Sequence, residues 1–337
     1  ERRSPSPRGC PDSWRAPSLT TGSSNAMPRA VPLVLLGPGH VGRAFLSLLL
    51  ARRDDLAASL GIRLEVAAIG DRSGLVRAAE GSLSDSAVLE VVERKSVGGR
   101  LIDWPSGLHG AVAAADIEGA EVERGAAPPV LVDATAADTT TSLLDARDRG
   151  WSLVLANKIP LTGSYRAFLA LTAGGRGAGW ETAVASSLPV VQTLQTIVDS
   201  GDEVHWISGT LSGSLGFVME QLESGRALSD AVRAAIGLGL CEPDPRHDLN
   251  GRDVARKALI LARMLGYDLA LQDVRVEGLV PTRLEELDTT EFLARLPELD
   301  PAMEARLSGA GSALRFLATI GRGEIAARLA ELAPHLG

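Results

Sequence analysis

Residues 239–257 bring the carboxylates of Glu242, Asp244, Asp248 and Asp253 and the amine of Lys257 into one short span, groups able to move protons or bind ions. Pro243 and Pro245 keep the first half of this span extended, because proline fixes φ and disfavours helix at the residue before it. After Gly251 the apolar positions Val254, Ala255, Ala258, Leu259, Leu261 and Ala262 recur at helical spacing. Asp253 and Lys257 are then one turn apart on one helix face. Most such pairs are surface ion pairs beside a solvated loop. Composition argues for more here: the chain has 34 basic residues, yet its lysines are only Lys95, Lys158 and Lys257. Arginine serves wherever any positive charge will do. A retained lysine marks a place for a compact amine that can give or take a proton.

Lys158 belongs to a second pattern. Val31-Pro-Leu-Val-Leu-Leu36 reads as a buried parallel strand. Gly37-Pro-Gly-His-Val-Gly42 follows at once, and then a helix carrying Ala44-Phe-Leu46 and Leu48-Leu-Leu50. In this strand, G-x-G-x-x-G, helix order, Gly37 permits the tight turn and Gly39 lets backbone approach a pyrophosphate. Gly42 lets helix and strand pack closely. The helix N-terminus offers amide N–H groups and a positive dipole to the phosphates. A glycine-rich turn without a ligand is the blander alternative. Residues 64–69 read as the next strand, ending in Gly70-Asp-Arg-Ser73. An acidic residue there would hold the ribose diol of NAD, and an arginine would accommodate the 2′-phosphate of NADP. Asp71 and Arg72 stand side by side, and the reading leans to NADP or dual use; a solvated loop residue is an equal reading of Arg72. Further strands are expected at 130–135 and 151–155. They put Thr135, Asn157 and Lys158 at the carboxyl ends of strands, where open α/β sheets carry their sites.

Strands alternating with helices predict an α/β fold: a Rossmann-type, doubly wound parallel sheet over residues 31–160, then a second α+β domain over 161–337. Residues 1–30 are rich in Arg, Ser, Pro and Gly and cannot build a core, so they are expected to be a disordered extension. They carry no apolar h-region of a secretory signal, and an organellar transit peptide is the alternative. Residues 74–129 give helical segments, weak strand signals and no chemistry. His109 reads as a surface or capping residue, and Lys95 as solvated. In the second half a helix is expected near 189–200 and a strand over 203–207. The small-residue loop 208–216 follows, whose amides can approach an anion. Helices are expected at 217–223 and 229–238, a strand-like piece at 273–277, and helices again over 289–296, 300–319 and 323–336. A net charge of −8 argues against a nucleic-acid partner. No apolar run reaches the length of a membrane span. Cys10 and Cys241 form no disulfide framework and suit a reducing cytoplasm. Cys241, with no His or Asn partner placed for it, reads as a small filler rather than a nucleophile.

In this order, several motifs resemble the homoserine dehydrogenase family. They are Gly37-Pro-Gly-His-Val-Gly42, Val132-Asp-Ala-Thr135, Ala156-Asn-Lys158, Glu181-Thr-Ala-Val184 with Leu188-Pro189, and Gly209-Thr-Leu-Ser-Gly-Ser214. The last and most specific is Glu242-Pro-Asp-Pro-Arg-His-Asp-Leu-Asn-Gly-Arg-Asp-Val-Ala-Arg-Lys257. Together they cover roughly residues 31–290. The resemblance implies reduction of L-aspartate 4-semialdehyde to L-homoserine with NAD(P)H. It implies Lys257 as proton donor to the forming alkoxide and Lys158 close to both nicotinamide and substrate. Asp253 and Asp248 would orient the reacting oxygen and the lysines, Glu242 would bind the α-amino group, and the amides around Ser212, Gly213 and Ser214 would hold the carboxylate. Gly37, Pro38, Gly39, His40, Val41, Gly42, Arg72, Ala134, Thr135 and Lys158 would hold NADP or NAD. Glu181, with the carbonyls of Val184, Ser186 and Leu188, would correspond to the family's monovalent cation (Na⁺) site. The resemblance also implies a homodimer, paired through the second domain, acting on a small molecule; the cysteine usage points to the cytoplasm.

The sequence departs from the family at three places. Ala185-Ser-Ser187 replaces a glycine-rich segment, Leu240 stands where an aromatic is often found, and the family's C-terminal segment is not recognisable before Gly337. No regulatory ligand-binding domain is expected after it, and so no amino-acid feedback. Two other readings stay open on sequence: a dehydrogenase for another small amino-acid aldehyde or keto acid, and a catalytically weak dinucleotide-binding protein.

Overall fold

Short runs of aliphatic residues between amphipathic helices fix the first half of the chain. The structure is a computed structural model that describes residues 27–78, 81–103, 127–172, 177–241, 244–321 and 324–332. The order is β1 (Arg29–Leu36), α1 (His40–Leu60), β2 (Ile62–Asp71), β3 (Gly74–Arg77), α2 (Asp85–Ser96), β4 (Val130–Asp133), α3 (Thr140–Asp148), β5 (Ser152–Leu155), α4 (Ile159–Thr162), α5 (Tyr165–Thr172) and β6 (Ala178–Gly179). The six strands form one sheet in the order β3-β2-β1-β4-β5-β6. All neighbours are parallel except β2 and β3, which form an antiparallel hairpin. The sheet is the doubly wound one the sequence predicts. Its sixth strand lies past residue 160, where the sequence places the domain division. Strand β1 starts at Arg29, inside the segment expected to lack structure; residues 1–26 lie outside the described residues, as does His109.

Alternation along β1 divides the interior into two cores. Leu33 and Leu35 pack with Val66, Ile69, and α1 and α2 through Leu46, Leu49, Val88 and Val91. Val34 and Leu36 face the other way, into a core that runs without a break through Leu153, Leu155, Leu161 and Phe168 into the second half. The strand ends at this face are laced together: the Gly37 amide donates to the Gly70 carbonyl, the Ala134 amide to Leu36, and the Ala156 and Asn157 amides to Asp133. The loops after β1, β4 and β5 therefore sit side by side.

The second half runs α6 (Glu181–Ala185), α7 (Val190–Asp199), β7 (Trp206–Gly209), α8 (Gly213–Glu223), α9 (Leu228–Gly237), α10 (Arg246–Leu249), α11 (Arg252–Met264), β8 (Arg275–Val276), α12 (Thr282–Glu285), α13 (Thr289–Arg295), α14 (Asp300–Ser308), β9 (Leu314–Gly321) and β10 (Glu324–Glu331). Its four-stranded sheet has the order β7-β9-β10-β8, antiparallel except for β10 and β8. Helix α11 is buried at Val254, Ala255 and every residue from Ala258 to Arg263, and packs on β9 and β10. It is the central helix of this half, apolar nearly all round in its second part, as a buried helix must be. No described helix is long and apolar enough to cross a membrane.

The C-terminal helices expected from sequence give way largely to strands. Residues 314–321 and 324–331 are paired strands, not the ends of helices over 300–319 and 323–336. Ala, Glu, Leu and Arg favour helix intrinsically, but tertiary pairing overrides so weak a preference. Leu314, Phe316, Ala318 and Ile320 are buried under α11, at every second residue. A helix could not place those four side chains on one face.

Candidate active site

The glycine turn after β1 has the geometry of a phosphate cradle. Gly37 has φ +86°, and a Cβ there would fall 2.7 Å from the Ala134 carbonyl. A Cβ on Gly42 would fall 2.2 Å from the Gly37 oxygen. A Cβ on Gly39 would meet nothing within 4 Å. Two glycines thus close the turn, and the third leaves open space above it. Gly39 caps α1 without any side-chain bond, and the first intrahelical bond runs from the Arg43 amide to the Gly39 carbonyl. The amides of His40, Val41 and Gly42 precede that bond. Pro38 is buried, whereas Gly39, His40 and Val41 are exposed.

Asp133, fully buried at the end of β4, anchors the neighbouring loops. Its carboxylate accepts the Thr135 amide at 2.9 Å, the Thr139 hydroxyl at 2.5 Å and the Asn157 side-chain amide at 3.0 Å. Asn157 in turn accepts the Ile159 amide at 3.0 Å, at the first residue of α4, whose N-cap is Lys158. So Ala134, Thr135 and Lys158 are fixed beside the glycine turn by one buried network. Asn157 stood out in the sequence through its strand-end position. Asp133 did not, because nothing local marks an aspartate at a strand end as buried.

The Asp71-Arg72-Ser73 segment is the turn of the β2–β3 hairpin. Arg72 is exposed there. Asp71 accepts the Ser73 amide and hydroxyl at 2.7 and 2.6 Å and the Lys95 ammonium at 2.7 Å. Burial opposes its charge, but the bonds from Lys95 and Ser73 outweigh this and hold its carboxyl below the usual value. Lys95, expected to be solvated, is instead mostly buried: it bridges Asp71 and donates to the Gly99 carbonyl at 2.9 Å. Its partner lies in another element, out of reach of local pattern.

The remaining two lysines meet at one carboxylate. Asp253 opens α11 after Gly251, which has φ +71° and no room for a Cβ beside the Phe316 ring at 2.6 Å. Lys257 lies 2.8 Å from Asp253 Oδ2, and Lys158 lies 3.3 Å from Oδ1. Lys257 also donates to the Leu211 carbonyl at 2.5 Å. Burial raises the Asp253 pKa, but the charges of Lys257 and Lys158 prevail and the net shift is downward. The carboxylate therefore stays ionised and holds two ammonium groups, one from each half of the chain. Both lysines line a cleft of about 710 Å³, with Ser186, Ser212, Gly213 and Phe217 among its other walls.

Helix α8 begins in the same cleft. The Ser212 hydroxyl caps it by accepting the Leu215 amide at 3.2 Å, and its first intrahelical bond runs from the Gly216 amide to the Ser212 carbonyl. The Gly213 and Ser214 amides precede that bond, at the positive end of the helix. The buried Ser214 hydroxyl lies 3.0 Å from that of Ser212 and donates to Asp248 at 2.7 Å. Glu242 lies outside the described residues. Burial and the nearby Asp248 charge push the Cys241 thiol up to about 11, so it is not a nucleophile at neutral pH.

The residues expected at a cation are Glu181, Val184, Ser186 and Leu188. The Glu181 carboxylate accepts the Val191 and Gln192 amides at 2.8 and 3.0 Å, in the first turn of α7. The Leu188 carbonyl accepts the Val190 amide at 2.8 Å. Ser186 has φ +56°, a conformation costing a non-glycine residue about 1–3 kcal/mol. Two of the four groups thus already serve the backbone of α7. Among the described residues no group of three or more His, Cys, Asp or Glu side chains is arranged to hold a metal ion.

The chain is similar to known proteins in sequence and in fold. The family model for homoserine dehydrogenase matches residues 189–335. The bifunctional aspartokinase/homoserine dehydrogenase of Haemophilus influenzae is 32% identical over 308 residues, covering 88% of this chain and 36% of that protein. The homoserine dehydrogenase of Emericella nidulans is 37% identical over 193 residues, covering 53% of this chain and 52% of that protein. The chain thus spans about a third to a half of the length of these relatives. Among solved structures, a Candida auris protein of unknown function superposes with a TM-score of 0.72 at 26% identity, covering 92% of this chain and 86% of the other. A hyperthermophilic archaeal homoserine dehydrogenase in complex with NADPH superposes with a TM-score of 0.66 at 23% identity, covering 90% and 83%.

Proposed function

The chain belongs to the homoserine dehydrogenase family, and from that premise we propose that it reduces L-aspartate 4-semialdehyde to L-homoserine with NADPH. The observation that carries this reading is Asp253 holding Lys158 and Lys257 together at the cleft. A bound nicotinamide would supply the hydride to the aldehyde carbon. The Lys257 ammonium gives its proton to the oxygen as that oxygen becomes negative, and is reprotonated from solvent. Lys158 stabilises the same negative charge from the nucleotide side. Asp253 holds both amines in place, at 3.3 and 2.8 Å. The Gly213 and Ser214 amides bind the substrate carboxylate, with Ser214 oriented by Asp248, and Glu242 takes the amino group. On this reading the sheet through β6 is the nucleotide half, and the rest is the catalytic half.

Gly37 to Gly42, Ala134 and Thr135 fit a dinucleotide, because Gly39 leaves open space where a pyrophosphate would approach the α1 amides. The neutralised Asp71 favours NADPH over NADH: a carboxylate engaged by Lys95 and Ser73 is a poor acceptor for a ribose diol and a weak repellent of a 2′-phosphate. Arg72 is exposed beside it. A monovalent cation at Glu181 is part of the same proposal but takes no role in hydride or proton transfer. A homodimer through the second half is supported by β7, an edge strand with Trp206 half-exposed; light scattering tests it.

The experiment is turnover of the purified chain with aspartate semialdehyde, run with NADPH and with NADH. Faster consumption of NADPH is expected. Cofactor binding with no turnover of either nucleotide would sink the reading in favour of a binding protein.

A further inference from the structure

Arg263 is 2% exposed, near the C-terminal end of α11, about 9 Å along the axis from Lys257. Its guanidinium donates to main-chain carbonyls: Nη1 to Leu161 at 2.7 Å, Nη2 to Gly163 and Leu269 at 2.7 Å each, and Nε to Leu269 at 3.1 Å. No hydrogen bond from it reaches a carboxylate among the described residues. It also lies over the Tyr165 and Phe168 rings of α5, 5.9 and 5.8 Å from their centroids. Burying a cation is costly unless its donors are satisfied, so this arrangement must accomplish something an apolar residue could not. In sequence Arg263 shares a helix face with the buried Leu259, four residues before it. An arginine in register with an apolar stripe is the signal that could have marked it.

The carbonyls it binds identify its function. Leu161 and Gly163 close α4, a helix too short to satisfy its own last carbonyls. The first residue before α4 is Lys158, and the first turn of α11 holds Asp253. The two helices are therefore tied twice: at their starts by Lys158 and Asp253 at 3.3 Å, and at their ends by Arg263. We propose that Arg263 is a positioning residue that clamps α4 to α11 and thereby holds Lys158 against Asp253. Its kinetic consequences rest on the function proposed above; its effect on Lys158 does not. The planar fork suits this task because one guanidinium makes four hydrogen bonds to three carbonyls on two segments, one more than the donors of a lysine allow.

Having only three lysines makes the test direct. Trace acetylation of the folded chain with acetic anhydride, read by mass spectrometry, gives a rate for each of Lys95, Lys158 and Lys257. In Arg263→Met the Lys158 rate is expected to rise about threefold relative to Lys95, as the ammonium loses its carboxylate and gains solvent. Lys95, held by Asp71 in the first sheet, is the internal reference. An unchanged Lys158/Lys95 ratio in the folded variant overturns the proposal, and so does an equal rise at Lys95, which would mean general loosening. Should Arg263→Met not fold, Arg263→Lys keeps the charge and one carbonyl. A smaller rise confined to Lys158 is expected there, and no rise overturns the clamp. In turnover, Arg263→Met should lower kcat about ten- to a hundredfold. The same change in a Lys158→Ala background should cost nothing further, and fully multiplicative losses would contradict an action through Lys158. A wild-type chain without turnover would sink the proposed activity, while the labelling ratios would still decide the clamp.

Discussion

Asp253 shows how a single carboxylate can join two halves of a chain. Its neighbours are lysines ninety-nine residues apart by number, Lys158 and Lys257. The scarcity of lysine singled out both, and helical spacing paired Lys257 with Asp253. Lys95 was misread because its partner Asp71 lies across the sheet edge, where periodicity carries no information. That ion pair bears on cofactor choice. At the proposed nucleotide site, Lys95→Ala leaves Asp71 with its Ser73 bonds but no cation, and the kcat/KM preference for NADPH over NADH should fall by about tenfold. An unchanged ratio would show that Asp71 does not face the ribose. Asp244 makes a second residue-level prediction. Its hydrogen bonds from Arg246 outweigh burial and lower its pKa from the ordinary 3.8 to about 2. Arg246 also donates to the Glu285 and Leu287 carbonyls, so the pair pins the loop before α10. Because the folded pKa is the lower one, the stabilisation is complete above about pH 4 and is lost as the pH falls toward 2. The urea-unfolding difference between wild type and Asp244→Asn should therefore be constant near neutrality and shrink through that window.

At the level of elements, glycines separate folding from binding. Gly42→Ala would drive a Cβ into the Gly37 carbonyl and should destabilise the chain by about 1–3 kcal/mol in denaturant unfolding. Gly39→Ala meets open space, so stability should hold while NADPH affinity falls. Equal effects of the two on stability would contradict the cradle. The first sheet was legible in outline because buried parallel strands read as continuous apolar runs. The β2–β3 hairpin was not, since Gly74–Arg77 is too short and too mixed to announce a strand. Nor were β9 and β10, whose Ala, Leu, Glu and Arg content suits a helix. Their strand form comes from α11, whose buried face needs a sheet beneath it. Helix α11 was read correctly at its start, from Gly251 to Lys257. The burial of Arg263 near its far end was not read, because arginine counts as a surface residue in any scale based on type.

Across the whole molecule, one apolar core runs from β4 and β5 through α4, α5 and α11 to the second sheet. The cleft is therefore set in a continuous body, with one lysine supplied from each side. This explains why the site was only half legible: each motif was readable alone, but their meeting depends on packing between distant segments. The central claim is that Lys257 delivers the proton as aspartate semialdehyde is reduced. It is tested most directly by NADPH consumption in Lys257→Ala beside wild type, with NADPH affinity measured on the same samples. The predicted result is unchanged affinity with turnover lower by about 10²–10⁴-fold. A Lys257→Ala chain that reduces aspartate semialdehyde at the wild-type rate would contradict it.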